Sequence, residues 1–457
     1  MGASAVGSLS EYVASLPLVD THEHIQFEHV RNATQTDFFS VWLGIYASSD
    51  LVSAGMPMTV LQEVRDVARP LDERWALFAP YWEHVRTTAY GRALLVAARD
   101  LHGVPDINAE TMRELSAKVT AANRPGWYAE VLCERADIRV GLVDIRRNWP
   151  GPEQGFADVL AGEVDDELFV RSIRFEQFVM ARSRRDLLGI ERATGKSIHS
   201  VDDLVRALEV AFEKLLARGQ FVAVKNALAY VRPLRFENAT HHEAELAFRY
   251  TASHADELRE LRFPAMGGSW RETKPLQDYM MHRLIRLAID HDLPLQMHTG
   301  LQEGNTNILT NSRPSDLTSL FIEYPEARFD LFHAGYPYTG EVAALAKNFQ
   351  NVSADMCWVY LISPSVGRRV LREYVETIPS NRVFGFGGDY LFVEGAYAHS
   401  RMARECVART LGEMVDDGYF GLADALVVAR KLLHDNAWEF YRLGERWRGE
   451  RRSTPLP

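Results

Sequence analysis

Val19-Asp20-Thr21-His22-Glu23-His24 closes the first apolar run of the chain and sets two imidazoles at i and i+2. Alternate residues of a strand share a face, so His22 and His24 can aim at one point in space, as metal ligands do. In a chain with 15 histidines, one His-x-His is also compatible with a polar loop. Four later strand-like runs end the same way, each with a candidate ligand at its C-terminal end. Lys225 follows Phe221–Val224, His298 follows Leu293–Met297, His333 follows Phe329–Phe332, and Asp389 follows Val383–Gly388.

Strand-like runs alternate with helical patterns along the chain, which predicts βα units and a parallel sheet. The runs are Pro17–Ile25, Ile138–Ile145, Phe169–Phe175, Phe221–Ala227, Leu293–Thr299, Ala327–His333, Asn351–Met356 and Arg382–Gly388. Eight strands close a (β/α)8 barrel, an α/β fold whose chemistry sits at the C-terminal strand ends. No Gly-x-Gly-x-x-Gly follows the first run, and Gly385-Phe386-Gly387-Gly388 lies just before an acid, so a doubly wound dinucleotide fold is disfavoured.

The whole chain, 1–457, reads as one barrel domain with a large insertion over 26–137. Within it Leu61–Ala68, Glu73–Ala98 and Ala109–Ala122 carry apolar residues at helical spacing. Gly44, Gly55, Pro57 and Pro70 are the expected breaks, and Pro80 an expected kink. An insertion after the first strand emerges on the catalytic face, where it would cap the pocket. Trp75, Phe78, Tyr81, Trp82 and Tyr90 either line that cap or, as is commoner for such rings, form its own core.

Composition narrows the function classes. The 51 Lys+Arg against 62 Asp+Glu give a net charge of -11 with no basic stripe, which argues against a nucleic-acid partner. Cys133, Cys357 and Cys406 are odd in number and widely spaced, fitting neither a disulfide framework nor a cysteine zinc site. No run approaches the ~20 apolar residues of a membrane span and no leader pattern opens the chain. The expectation is a soluble cytoplasmic protein with a small-molecule substrate; pairing of such barrels through outer helices would give a homo-oligomer.

Imidazole with carboxylate suits Zn2+ above all, with Mn2+ and Fe2+ as alternatives, one or two ions in number. Each ligand has a blander reading as a hydrogen-bonded interior group, but convergence of strand ends in a barrel favours a shared centre for His22, His24, His298, His333 and Asp389. His333 could equally orient substrate. Lys225 could ligate only if carbamylated; otherwise it binds a substrate carboxylate or forms an internal ion pair. Arg174 and Arg232 are candidates for gripping a carboxylate bidentately, set against the usual solvated arginine. Gln302, Asn305, Asn307 and Tyr336 are candidate substrate hydrogen-bonders or loop caps. Trp358 would wall the pocket, or pack between the barrel and its helix.

The ordered set His22-x-His24, Lys225, His298, His333 and Asp389 resembles the amidohydrolase superfamily of metal-dependent hydrolases on a (β/α)8 barrel. The phrases Pro294-Leu-Gln-Met-His-Thr-Gly300, Phe329-Asp-Leu-Phe-His-Ala-Gly-Tyr336 and Phe386-Gly-Gly-Asp389 are similar to its amidohydrolase 2 branch, which includes barrel domains fused to glutamine synthetase-like domains and has decarboxylase relatives. The resemblance spans residues 16–395. It implies that His22, His24, His298, His333 and Asp389 are ligand positions, and that Lys225 holds the place where binuclear members carry a carbamylated bridge.

The expected reaction is hydrolysis of a C–N or C–O bond at a carbonyl. A metal-activated water attacks, Asp389 serves as general base and then acid, and His333 stabilises the oxyanion if it is not a ligand. A non-oxidative decarboxylase on the same ligands is the alternative, an isomerase a lesser one, and a non-catalytic barrel the bland one. Gly-x-Ser-x-Gly is absent, so no serine triad is invoked.

Overall fold

The computed structural model describes residues 5–144, 167–217, 219, 221–253 and 272–449. Ile145, the last residue of the second expected run, and positions 450–457 of the charged tail lie outside them. Eight parallel strands follow one another in chain order: β1 (Leu18–Glu23), β2 (Ile138–Val143), β3 (Phe169–Arg174), β4 (Phe221–Asn226), β5 (Leu295–Met297), β6 (Phe329–Leu331), β7 (Val352–Asp355) and β8 (Val383–Phe384). Every expected run contains one strand; His22 and Lys225 lie within β1 and β4, whereas His24, His298, His333 and Asp389 lie just beyond their strands. The barrel closes between β1 and β8 just beyond the regular ladder. Thr21 N–H donates to Phe386 O at 3.2 Å, Asp389 N–H to His22 O at 2.8 Å, and His24 N–H to Tyr390 O at 2.9 Å.

The lower barrel is filled by Val19, Val140, Leu142, Val170, Val222 and Phe384, and plugged from the C-terminal segment by Ala437, Tyr441 and Trp447. A polar chain crosses this interior. Ser172 Oγ donates to Gln296 Oε1 at 2.6 Å, Gln296 Nε2 donates to Tyr441 Oη at 2.9 Å, and Tyr441 donates to Asp330. Each of these four side chains therefore has at least one partner, which lowers the desolvation cost of placing it there.

Between β1 and β2 the chain is almost wholly helical, with Phe38–Trp42, Ala47–Ser53, Met58–Arg65, Leu71–Val85, Ala89–His102 and Met112–Ala121 among its helices. The helix Leu71–Val85 runs through Pro80. The single helix expected over Glu73–Ala98 is instead two. Thr88 caps the second by accepting from Gly91 N–H at 3.2 Å, and a Cβ on Gly91 would lie 2.2 Å from Val85 O, so the corner needs glycine for close approach. Trp75, Phe78 and Trp82 pack against one another and, with Phe38 and Phe39, form the core of this segment; Tyr90 does not share that role. Among the described residues, no helix is long and apolar enough to cross a membrane.

One buried ion pair ties this segment to the barrel. Arg31, just after β1, donates twice to Glu394 at 2.8 and 2.7 Å. Glu394 lies in the first turn of Val393–Asp416, the helix after β8, and also accepts from Trp127 Nε1 at 3.0 Å. Burial works against the Glu394 charge, but Arg31 outweighs it and holds its pKa below the ordinary value of 4.5. A depressed carboxylate pKa stabilises the fold above the unfolded-state value and loses that contribution as pH falls. Arg31→Ala should cost about 3–5 kcal/mol at neutral pH, because it leaves a buried charge unpaired. The gap from wild type should narrow below pH 4.5. Urea unfolding midpoints measure both, and equal midpoints at neutral pH would contradict the clamp.

Candidate metal centre

His22 near the end of β1 and His24 just beyond it point to one side, and the β1/β8 closure brings Asp389 opposite them. His22 Nε2 lies 3.5 Å and His24 Nε2 3.4 Å from Asp389 Oδ1. His24 Nδ1 lies 3.0 Å from the Asp144 carbonyl oxygen. A carbonyl only accepts, so Nδ1 carries the hydrogen and Nε2 turns its lone pair to Asp389. His22 is held well below its usual pKa of 6.5, by burial first and then by Lys225, so it is the neutral, ligating form. Burial also pushes Asp389 up to about 7, against the pull of Lys225, the Tyr46 hydroxyl and Arg174.

These residues fit a divalent cation. Metal bonds of about 2.0–2.2 Å in a tetrahedral site set ligand atoms roughly 3.3 Å apart, close to the separations seen. A divalent cation removes the repulsion between the His24 lone pair and the Asp389 carboxylate, and neutral His22, whose Nδ1 has no partner among the described residues, can turn its Nε2 lone pair to the same ion. Such an ion would be held by His22, His24 and Asp389, whose ligand atoms lie within 4.8 Å of one another.

Two cationic side chains stand beside this triad. Arg174 on β3 and Lys225 on β4 are neighbours in register. Arg174 donates through Nε and Nη2 to Asp144 Oδ2, both at 2.6 Å; burial opposes its charge, but Asp144 and Glu176 outweigh that and keep it protonated. Among the described residues Lys225 Nζ has no hydrogen-bond partner, and it sits 3.6 Å from the Phe332 ring centroid. Burial, then Arg174, lowers its pKa to about 8.

His298 and His333 form a pair behind the triad. His298 Nε2 faces Leu301 O at 3.0 Å, its Nδ1 faces His333 Nε2 at 3.0 Å, and His333 Nδ1 faces Cys357 O at 3.1 Å. Both rings are lowered well below 6.5, chiefly by burial. Both carbonyls only accept, so the neutral rings place their hydrogens on His298 Nε2 and His333 Nδ1, and the lone pairs of His298 Nδ1 and His333 Nε2 face each other. His333, Cys357 and Asp389 form a second group close enough to share an ion, although burial pushes the Cys357 thiol up and away from the ligating thiolate.

A cavity of 260 Å³ opens over the triad. His22, His24, Arg174, Lys225, His298 and Asp389 line it, joined by Gly44, Ile45, Tyr46, Tyr230, Glu303 and Leu391. The other expected site residues stand outside it. His333 is fully buried behind His298. Arg232 is buried in bonds to Asp278, Gln277 and two carbonyls, which removes its guanidinium from any substrate. Gln302 donates to Ala229 O and Ile308 O, Asn307 caps its own loop, and Asn305 donates to Ser49 O. Tyr336 is half-buried beside the loop after β5, accepting through its carbonyl from Leu301 N–H at 2.6 Å. Trp358 is a wall one layer back, stacked on Tyr46 at 5.0 Å and edge-on to His333 at 5.2 Å.

Four residues near the triad were not singled out from sequence. Asp144 closes the apolar β2 as the other ligands close their strands, so the same rule finds it. Glu303 and Tyr230 sit in loops, and Tyr46 lies among helices far from any strand, where no periodicity marks them. A larger groove of 1090 Å³ runs along the outside; its Arg92 and Arg409 pair with Glu405 and its Arg404 with three backbone carbonyls.

Residues 199–443, more than half the chain, match the family model described as amidohydrolase. Protein fluG of Emericella nidulans is 32% identical over 180 residues, covering 38% of this chain and only 21% of that protein's length. Among solved structures, uronate isomerase from Thermotoga maritima superposes with a TM-score of 0.76 at 15% identity, over 96% of this chain and 98% of that one. A protein described as a metal-dependent hydrolase from Lactobacillus casei gives a TM-score of 0.64 at 19% identity, over 96% and 99%. At these identities the structural likeness speaks for the fold alone.

The triad depends on a close approach at Gly388. A Cβ there would lie 1.8 Å from Glu23 Oε1 and 3.1 Å from Asp20 Oδ2. Both carboxylates are engaged, Asp20 accepting from Gly388 N–H at 2.9 Å and Glu23 from Tyr390 N–H at 2.7 Å. Gly388→Ala should therefore destabilise the fold by about 1–3 kcal/mol, as overpacking does, and weaken divalent-metal binding. Thermal unfolding and metal titration check this; a variant matching wild type in both would refute the constraint.

Proposed function

The chain belongs to the amidohydrolase family, and from that premise we propose that it is a metal-dependent hydrolase cleaving an amide or related C–N or C–O bond of a small carboxylated substrate. The observation that carries this reading is the placement of His22 Nε2 and His24 Nε2 at 3.5 and 3.4 Å from Asp389 Oδ1, on a cavity the size of a small molecule. The two-nitrogen, one-oxygen donor set suits Zn2+, with Mn2+ or Fe2+ as substitutes. When bound, the metal supplies a Lewis acid for the carbonyl oxygen and lowers the pKa of water.

The chain's own residues do the rest. Asp389 takes the proton from the attacking water and returns it to the leaving nitrogen or oxygen. Lys225, whose Nζ has no hydrogen-bond partner among the described residues, holds the substrate carboxylate, while Asp144 keeps Arg174 locked beside it. Ile45, Tyr46 and Leu391 form the wall that keeps bulk water from the reacting carbonyl. The centre then holds one ion, with Lys225 an unmodified amine over the Phe332 ring rather than a carbamate bridge. The free cysteines Cys133, Cys357 and Cys406 suit a reducing cytoplasm.

Isomerisation or decarboxylation of a hydroxy acid is the second reading, favoured by the fold shared with the Thermotoga isomerase over nearly the whole chain. Metal-loaded protein incubated with N-acyl amino acids, lactones and uronates separates the two. Release of amine or ring-opened acid supports hydrolysis; keto-sugar or carbon dioxide formation without it would sink the hydrolase. Asp389→Asn should fold normally and lose about 10²–10⁴-fold in turnover, the usual contribution of a positioned acid–base group. Full turnover in that variant would remove Asp389 from proton transfer.

A further inference from the structure

Tyr46 reaches the cavity from outside the barrel. It stands just before the helix Ala47–Ser53, with its backbone at φ 57° and ψ −75°, a region unfavourable for any residue bearing a Cβ. Its side chain is buried, and its hydroxyl donates to the backbone carbonyl of Asp389 at 2.5 Å. The ring packs against Tyr90 and Trp358, near-parallel to each with centroids at 5.0 Å, while Tyr390 meets it edge-on at 5.1 Å.

Asp389 is itself at φ 59°, so its orientation is imposed by its surroundings rather than by local preference. Two backbone bonds impose it. Its N–H donates to His22 O, and its carbonyl accepts from Tyr46. Trp358, at φ 65°, and His333, at φ 63°, adjoin the same spot. Strained conformations concentrated around one centre persist only where the surrounding contacts over-determine them.

We propose that Tyr46 is a positioning residue of the metal centre: by holding the Asp389 carbonyl it aims the Asp389 carboxylate at the ion. The inference rests on the metal-dependent reading above. It makes the helical segment between β1 and β2 part of the centre rather than only a cover over it. Linkage makes the effect reciprocal, so an ion that gains from a well-aimed Asp389 must also favour the docked Tyr46.

Co2+ titrated into metal-free wild type, Tyr46→Phe and Tyr90→Phe, and followed by visible absorption, tests this without a substrate. Tyr46→Phe keeps the stacked ring and deletes the hydroxyl alone; Tyr90→Phe controls for any change in the stack. Wild type and Tyr90→Phe should bind alike, and Tyr46→Phe roughly tenfold or more weakly, the usual cost of losing an outer hydrogen bond to a ligand, with shifted absorption bands. Wild-type affinity and spectrum in Tyr46→Phe would overturn the role of Tyr46 and leave the metal centre standing. Absence of Co2+ binding in wild type would overturn the metal reading and this inference together. Should Tyr46→Phe not fold, hydrogen exchange of wild type decides: Co2+ should slow exchange of amides 44–53, and unchanged exchange overturns the proposal.

Discussion

The bond from Asp389 N–H to His22 O is the point on which the rest of the structure turns. It closes the barrel and, in the same step, brings the end of the eighth strand against the end of the first. Ligands 367 positions apart in the chain then face one another because the ring of strands has no edge left open. The glycines before Asp389 serve this approach. Gly387 would set a Cβ 2.6 Å from Thr21 Oγ1, and Gly388 would drive one into Glu23, so the seam is tight where the ligands meet.

Closure also concentrates charge. Asp20 and Glu23 are buried beneath the triad and pushed upward in pKa, Asp20 to about 6, with burial as the main cause. Asp20 offsets part of that cost by accepting from His22 N–H at 3.1 Å and Gly388 N–H at 2.9 Å. On the other side Arg174 and Asp144 neutralise each other, and Lys225 is the cavity's cation with no hydrogen bond among the described residues. The local balance is a carboxylate with neutral imidazoles on one wall and an ammonium on the other. A divalent ion answers the first wall and an anionic substrate group the second.

Most of the frame was legible because strand ends carry their own mark. Apolar runs alternating with helical patterns located all eight strands, and polar residues at the ends of four of them placed His22, His24, Lys225, His298 and Asp389 around one cavity. Asp144 obeys the same rule, and its run was read past it to Ile145. Loop residues carry no such mark. Arg232 and Gln302 lie near the right strands in sequence, yet their side chains turn back to brace their own loops, since a buried guanidinium or amide takes the nearest acceptors available. Tyr46 was invisible for the opposite reason. Its sequence neighbours are helical, and only the fold of the whole segment brings its hydroxyl to Asp389.

The most direct test is a crystal structure of the zinc-loaded protein with anomalous data at the zinc edge. The account predicts one peak per chain, bound by His22, His24 and Asp389, with Lys225 an unmodified amine. Two peaks bridged by a carboxylated Lys225, or no peak at this triad, would contradict it.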